Sequence, residues 1–140
     1  MMEIAKINEE LTALIHSRMP FTAELGIEVL EATPDRVVTR ANWAAERCTT
    51  GRMLHGGYLM AVADSAGGRC AALNLPPGAG TATIESKTNF FRGVTEGFVE
   101  AVTTPVHVGR TTIVVQTDIV NSAGKLVSRT LQTQAVILQK

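Results

Sequence analysis

At 140 residues the chain is one domain by length, long enough to bury a core of its own and an interface besides. Thirteen Lys and Arg balance thirteen Asp and Glu with no basic stripe, which argues against nucleic acid as the main partner. Two cysteines, Cys48 and Cys70, show neither a pairing pattern nor metal-ligand spacing and fit a reducing cytoplasm. The mixed charges of residues 1–6 match neither a signal peptide nor a membrane span, so a cytoplasmic location with no membrane partner is expected.

In chain order, Ile4, Ile7, Leu11, Leu14 and Ile15 share one stripe and predict an N-terminal helix over about 3–18, ended by Met19-Pro20, with His16 on its exposed side. Two strands follow, 25–32 and 36–42, joined as a hairpin by the turn residues Thr33-Pro34-Asp35. Residues 44–53, mixed in polarity and containing Gly51, read as a loop into a central helix over roughly 56–74, which the Pro- and Gly-rich 75–80 stops. Everything beyond reads as strand: 81–91, 98–106, 111–120 and 126–138. In the first of these Ala82, Ile84, Ser86, Thr88 and Phe90 alternate with Thr83, Glu85, Lys87 and Asn89. Short joins at 108–110 and 121–125 make the last strands antiparallel neighbours. The predicted class is α+β: an antiparallel sheet of five or six strands wrapped around a long central helix, with an N-terminal helix in front. A single domain covers 1–140, its core over about 21–138. Small residues on the central helix, among them Ala63, Ala66, Gly67 and Ala71, permit close approach of the sheet or of a partner helix.

The chemistry concentrates at the start of that helix. His55-Gly56-Gly57 is followed, nine residues after the histidine, by Asp64, the only residue between 56 and 68 charged at neutral pH. A helix start offers backbone N–H groups without intrahelical acceptors at the positive end of a dipole, so it can hold an oxygen gaining negative charge, and glycine lets a ligand come close. Such an oxyanion hole serves acyl transfer, with Asp64 as nucleophile or base. At about 1.5 Å per residue, however, Gly56 and Asp64 stand roughly 12 Å apart along the axis, too far to act on one carbonyl. Two chains paired about a twofold axis would bring the helix start of one to the Asp64 of the other, so an obligate dimer with interfacial sites is expected.

Leu54-His55-Gly56-Gly57 with Asp64 resembles the hotdog-fold acyl-CoA thioesterases, specifically the PaaI-like (phenylacetate-degradation) group of the 4-hydroxybenzoyl-CoA thioesterase superfamily. The likeness extends to Leu25-Gly26-Ile27-Glu28-Val29, to the strand from Thr83 that ends in Arg92-Gly93, and to the turn Gly109-Arg110-Thr111. It implies a sheet wrapped around a central helix, a homodimer, and a tetramer formed as a dimer of dimers. It implies hydrolysis of an aryl- or medium-chain acyl-CoA, with Asp64 as nucleophile or general base and the Gly56 amide as oxyanion donor. His55 would help to place the carbonyl, and Thr83 falls where some members have a serine that orients the water or the acid. Leu54 and Gly57 are expected to bind substrate, Leu54 in an acyl lining with Met53, Tyr58, Leu59 and Met60, and Arg92, Val108, Gly109, Arg110 and Thr111 sit where members contact coenzyme A. Thr49 stands where members often have asparagine. Coenzyme A is part of the substrate, and no cofactor is implied.

No His, Cys, Asp or Glu pair has zinc spacing, so no metal is expected. Cys48 reads as a semi-buried thiol, and Ser65 beside Asp64 forms no triad. Two other functions compete: a hotdog-fold enoyl-CoA hydratase, whose helix signature is missing here, and a non-catalytic acyl-CoA-binding protein.

Overall fold

The computed structural model describes residues 5–139; Glu3 and Ile4 of the expected first helix lie outside this range. Helix α1 (Glu9–Arg18) begins where the Asn8 side chain accepts the Leu11 N–H at 2.9 Å, with Glu9 and Glu10 at the positive end of the helix dipole. It is shorter than its apolar stripe predicts, because Asn8 turns its own N–H to the Val29 carbonyl, 2.8 Å away. Pro20 ends α1 and also opens a second short helix, α2 (Pro20–Glu24), since a missing N–H is no loss at a first helical position. His16 is not on the exposed side: it is half-buried, its Nε2 2.6 Å from the Ile27 carbonyl.

Strands β1 (Glu28–Thr33) and β2 (Arg36–Asn42) form the expected hairpin, Thr33 facing Arg36. β1 starts later than predicted because Leu25 and Gly26 close α2, Gly26 at φ +71. Two single turns, Ala45–Arg47 and Thr50–Arg52, lead into the long helix α3 (Gly56–Leu73). Then come β3 (Gly80–Phe90), β4 (Phe98–Val108), β5 (Thr112–Asn121) and β6 (Leu126–Ile137). The six strands form one antiparallel sheet in the order β1-β2-β4-β5-β6-β3. It curls around α3: Val62, Ala63, Ala66, Cys70 and Ala71 meet Val37, Val99, Ala101, Ile113 and Val115, none of them more than 1% exposed. No helix among the described residues is long and apolar enough to cross a membrane.

Two features of the sheet depart from simple alternation. On β6 four inward side chains in a row are polar, Ser128, Thr130, Gln132 and Gln134, all buried, between the core residue Val127 and Val136, whereas Leu131 on the outer face is 44% exposed. On β3 a bulge between Thr83 and Glu85 leaves Ile84 without a partner on β6. Thr83 therefore pairs with Gln134, and Ser86, Thr88 and Phe90 with Gln132, Thr130 and Ser128. The sequence alternation set Thr83 opposite Ser86, Thr88 and Phe90; the bulge puts it on their side, toward α3. β3 is an edge of the sheet and has no buried residue.

Candidate active site

The loop before α3 is bent by two consecutive left-handed residues, Gly51 at φ +73 and Arg52 at φ +59. Trp43 holds this bend: its Nε1 donates to the Arg52 carbonyl at 2.9 Å, and the Arg52 guanidinium stacks on its ring at 4.7 Å. The loop then folds back on itself through a Cys48–Leu54 bridge and a His55 N–H bond to the Arg47 carbonyl. His55 is delivered as the helix cap, its Nδ1 accepting the Gly57 N–H at 2.8 Å. In a neutral ring that leaves the proton on Nε2. The Gly57 amide is thus engaged within the chain, while the Gly56 N–H has no acceptor among the described residues. Gly56 borders a cavity of about 310 Å³ that also collects Thr49, Leu54, Phe90, Phe91 and Arg92. His55 itself opens to a neighbouring cavity of about 360 Å³ with Cys48 and Tyr58, whose hydroxyl donates to the Leu25 carbonyl at 2.6 Å.

Two turns further along α3, Asp64 is exposed, and its Oδ1 accepts from Gln132 Nε2 at 2.8 Å. That amide lies 3.4 Å from Thr83 Oγ1, which accepts a shorter bond, 2.7 Å, from Gln134 Nε2. Thr83 therefore reaches Asp64 through Gln132, and no direct bond joins the two. With both amides on its lone pairs, the Thr83 hydroxyl is left its proton to donate. Gln132 is 1% exposed, and its Oε1 is buried without a partner against Gly67, where a Cβ would collide with it. Asp64 and Thr83 line a third cavity, about 290 Å³, with Ser65, Arg69, Thr81 and Gln134. The Gly56 and Asp64 cavities have no lining residue in common.

The expected site residues thus fall into four places: Thr49, Leu54, Gly56 and Arg92 around one cavity, His55 at the neighbouring one with Gly57 bonded to its ring, Asp64 and Thr83 around another, and Val108, Gly109, Arg110 and Thr111 at the β4–β5 turn. The turn lines none of these cavities. Across β6, Thr112 and Ala82 both pair with Ala135, so the turn sits about 10 Å, two strand spacings, from the start of β3. Gln132 and Gln134 carry no sequence signal of a site; alternating with Leu131, Thr133 and Ala135, they follow the pattern of a polar outer face. Among the described residues no three His, Cys, Asp or Glu side chains converge on a metal position. Cys70 is buried, and its thiol is pushed up to about 11 by that burial and by the Asp35 carboxylate. Burial likewise raises the Tyr58 phenol, the nearby Arg47 cation opposing.

The thioesterase superfamily model matches residues 51–128, the stretch that carries His55, Gly56, Asp64 and Thr83. The esterase-named protein ComA2 of Bacillus subtilis is 36% identical over 115 residues, 81% of this chain and 90% of that protein. A thioesterase from Haemophilus influenzae superposes with a TM-score of 0.84 at 28% identity, over 99% of this chain and 93% of its own. A variant of the phenylacetic acid degradation protein PaaI from Thermus thermophilus gives 0.76 at 29%, over 83% and 97%. The family match, the relatives and the curled sheet around α3 agree: the chain belongs to the thioesterase superfamily and is a PaaI-like, hotdog-fold thioester hydrolase.

Proposed function

We propose that the protein hydrolyses acyl-CoA thioesters, of aryl or medium-chain acyl groups, at two equivalent sites shared across a homodimer. The observation that carries this is the division of the chemistry. The free Gly56 amide and the Asp64 carboxylate occupy separate cavities, roughly 12 Å apart along one rigid helix, and only a second chain can unite them. The edge strand β3 supports the pairing, because Ile84 near the Asp64 cavity is 62% exposed, and Phe90 and the adjoining Phe91, which line the Gly56 cavity, are 47% and 58% exposed; together they invite cover by a second copy. Outward-facing Leu131 and Ile137 offer an apolar face on which two dimers would form a tetramer.

In this reading the Gly56 N–H of one chain polarises the thioester carbonyl, with His55 beside it. The Asp64 carboxylate of the other attacks the carbonyl carbon directly, giving an anhydride that water then opens, or takes a proton from a water that attacks instead. Either way the carbon–sulfur bond breaks, and the products are a carboxylic acid and the thiol of coenzyme A. Arg92 and the turn from Val108 to Thr111 would meet the coenzyme A moiety, the two arginines Arg92 and Arg110 on its phosphates.

A mixed dimer tests the shared site. Gly56→Pro deletes the amide donor at a first helical position, where proline is compatible with helix and with the extended His55 (ψ 136) before it. Asp64→Asn deletes the acid. Co-expressed in equal amounts, the two inactive chains pair at random, about half the dimers are mixed, and each of these has one intact site of two, so about a quarter of wild-type activity should return. No recovery places both groups of a site in one chain and overturns the proposal.

A further inference from the structure

Three of the arginines are partly withdrawn from solvent: Arg40, Arg47 and Arg69. Two of them are fully engaged. Arg40 donates twice to Glu100 and lies over the Phe98 ring, and Arg47 donates to the Asn42 carbonyl and lies over the Tyr58 ring. Arg69 has neither: among the described residues its guanidinium has no hydrogen-bond acceptor or ion-pair partner, and its Nε is buried unpaired. A withdrawn cation without an anion is costly unless a ligand supplies one.

Arg69 borders two cavities. One, about 10 Å³, is walled by Ile15, Ile27, Val29 and Val37 with Thr22, Thr39 and Ser65 among them, and has room for no more than a single water. The other is the 290 Å³ cavity of Asp64. Arg69 lies five residues beyond Asp64, about 7.5 Å further along the axis of α3. Between and around them the wall is small or neutral: Gly68, Ala72, Ala82, Thr81 and Met19. The cavity therefore runs from the reacting carboxylate to a waiting guanidinium, with space between them for a short chain or a ring.

We infer that Arg69 is a specificity residue that receives a carboxylate at the far end of the acyl group, so that the preferred substrates are thioesters of dicarboxylic acids. This rests on the acyl-CoA reading of the Asp64 site and names the acyl class it takes. The guanidinium fork matches a carboxylate with two parallel hydrogen bonds, and the carboxylate supplies the negative charge that no side chain gives Arg69 within ion-pair distance. A methyl-terminated acyl group of equal length would leave the Arg69 guanidinium without an anion.

Two non-cleavable thioethers, S-(5-carboxypentyl)-coenzyme A and S-hexyl-coenzyme A, differ only at that end, and calorimetry gives their affinities for the full-length protein. The carboxylated ligand should bind at least about tenfold more tightly. Arg69→Met should erase the difference, and Arg69→Lys should retain part of it. Equal affinities in the wild type overturn the inference, and this comparison stands even if a variant does not fold. Weakening of both ligands alike by Arg69→Met also overturns it, since Arg69 would then serve the coenzyme A moiety or the fold. The hydrolase reading fails separately, if none of adipyl-CoA, hexanoyl-CoA and an aryl thioester such as benzoyl-CoA is cleaved, and the thioether contrast still decides the role of Arg69.

Discussion

Replacing Gln132 by methionine separates activity from stability in a direction opposite to most core substitutions. The Gln132 amide donates to Asp64 at 2.8 Å, and a hydrogen bond to a charged group contributes about 1.5–3 kcal/mol. Felt in full at the transition state, its loss lowers the rate by roughly 10- to 150-fold; because Asp64 is exposed on its other side, water compensates in part and the lower end is expected. Stability answers to a different atom. Gln132 Oε1 is already buried without a partner, so methionine, of similar shape and with no oxygen there, removes a penalty of about 1–3 kcal/mol while forfeiting the Asp64 bond. The melting temperature should hold or rise while kcat falls. Gln132→Glu supplies the control, because a second carboxylate against Asp64 makes ionising both unfavourable and moves the acid limb of the kcat/KM profile to higher pH. Thiol release with a short acyl-CoA, followed across pH, and calorimetric melting read all of this. A kcat within twofold of wild type in Gln132→Met, or a collapse of melting temperature in step with kcat, refutes the positioning role.

Two further perturbations are defined by single contacts. Gly67→Ala drives a methyl group into Gln132 Oε1, so despite a gain in helix propensity of about 1 kcal/mol it should destabilise the fold by about 1–3 kcal/mol net and reduce kcat by displacing the Asp64 partner, with urea titration and thiol release as the readouts. For Cys70 the folded thiol holds its proton to about 11 against 9.0 in the unfolded chain, so between these values the unfolded state has lost a proton the folded state keeps. Stability should be intact below pH 9 and fall as pH rises through that window; Cys70→Ala should flatten the slope that urea titrations find there, most cleanly between pH 9.0 and 10.0, below the onset of the Tyr58 contribution.

The parts of this fold set by local chemistry were legible. Pro34-Asp35 between two β-rich runs made a hairpin, the Pro and Gly run after Asn74 stopped α3, and His55-Gly56-Gly57 began it. What escaped depends on distant partners. The bulge at Ile84 has no glycine to announce it and exists because Thr83 and Glu85 must pair with consecutive β6 residues, Gln134 and Thr133. The inward polar row of β6 inverts the usual pattern, since it satisfies Asp64, Thr81, Thr83 and Thr88 in place of an apolar core. Asp64 and Gly56 stood out in the sequence as candidates, and helix arithmetic alone separated them; that Gln132 stands between Asp64 and Thr83 required the sheet order. The N-terminal boundary failed for a plainer reason: the stripe from Ile4 to Ile15 outweighed Asn8-Glu9-Glu10, a helix-start signature present in the sequence.

The place of β3 at the rim of the sheet has a consequence for how the molecule is made. Its hydrogen-bonded neighbour is the last strand, so residues 80–90 leave the ribosome with no pairing partner and wait until residues 126–137 follow. During that interval the hairpin of β1 and β2 and the β4–β5 pair can close, but the bond from Gln132 to Asp64 cannot form. Synthesis thus assembles scaffold first and chemistry last, and the waiting segment, with Ile84 and Phe90 uncovered, is the stretch of the nascent chain most in need of a chaperone.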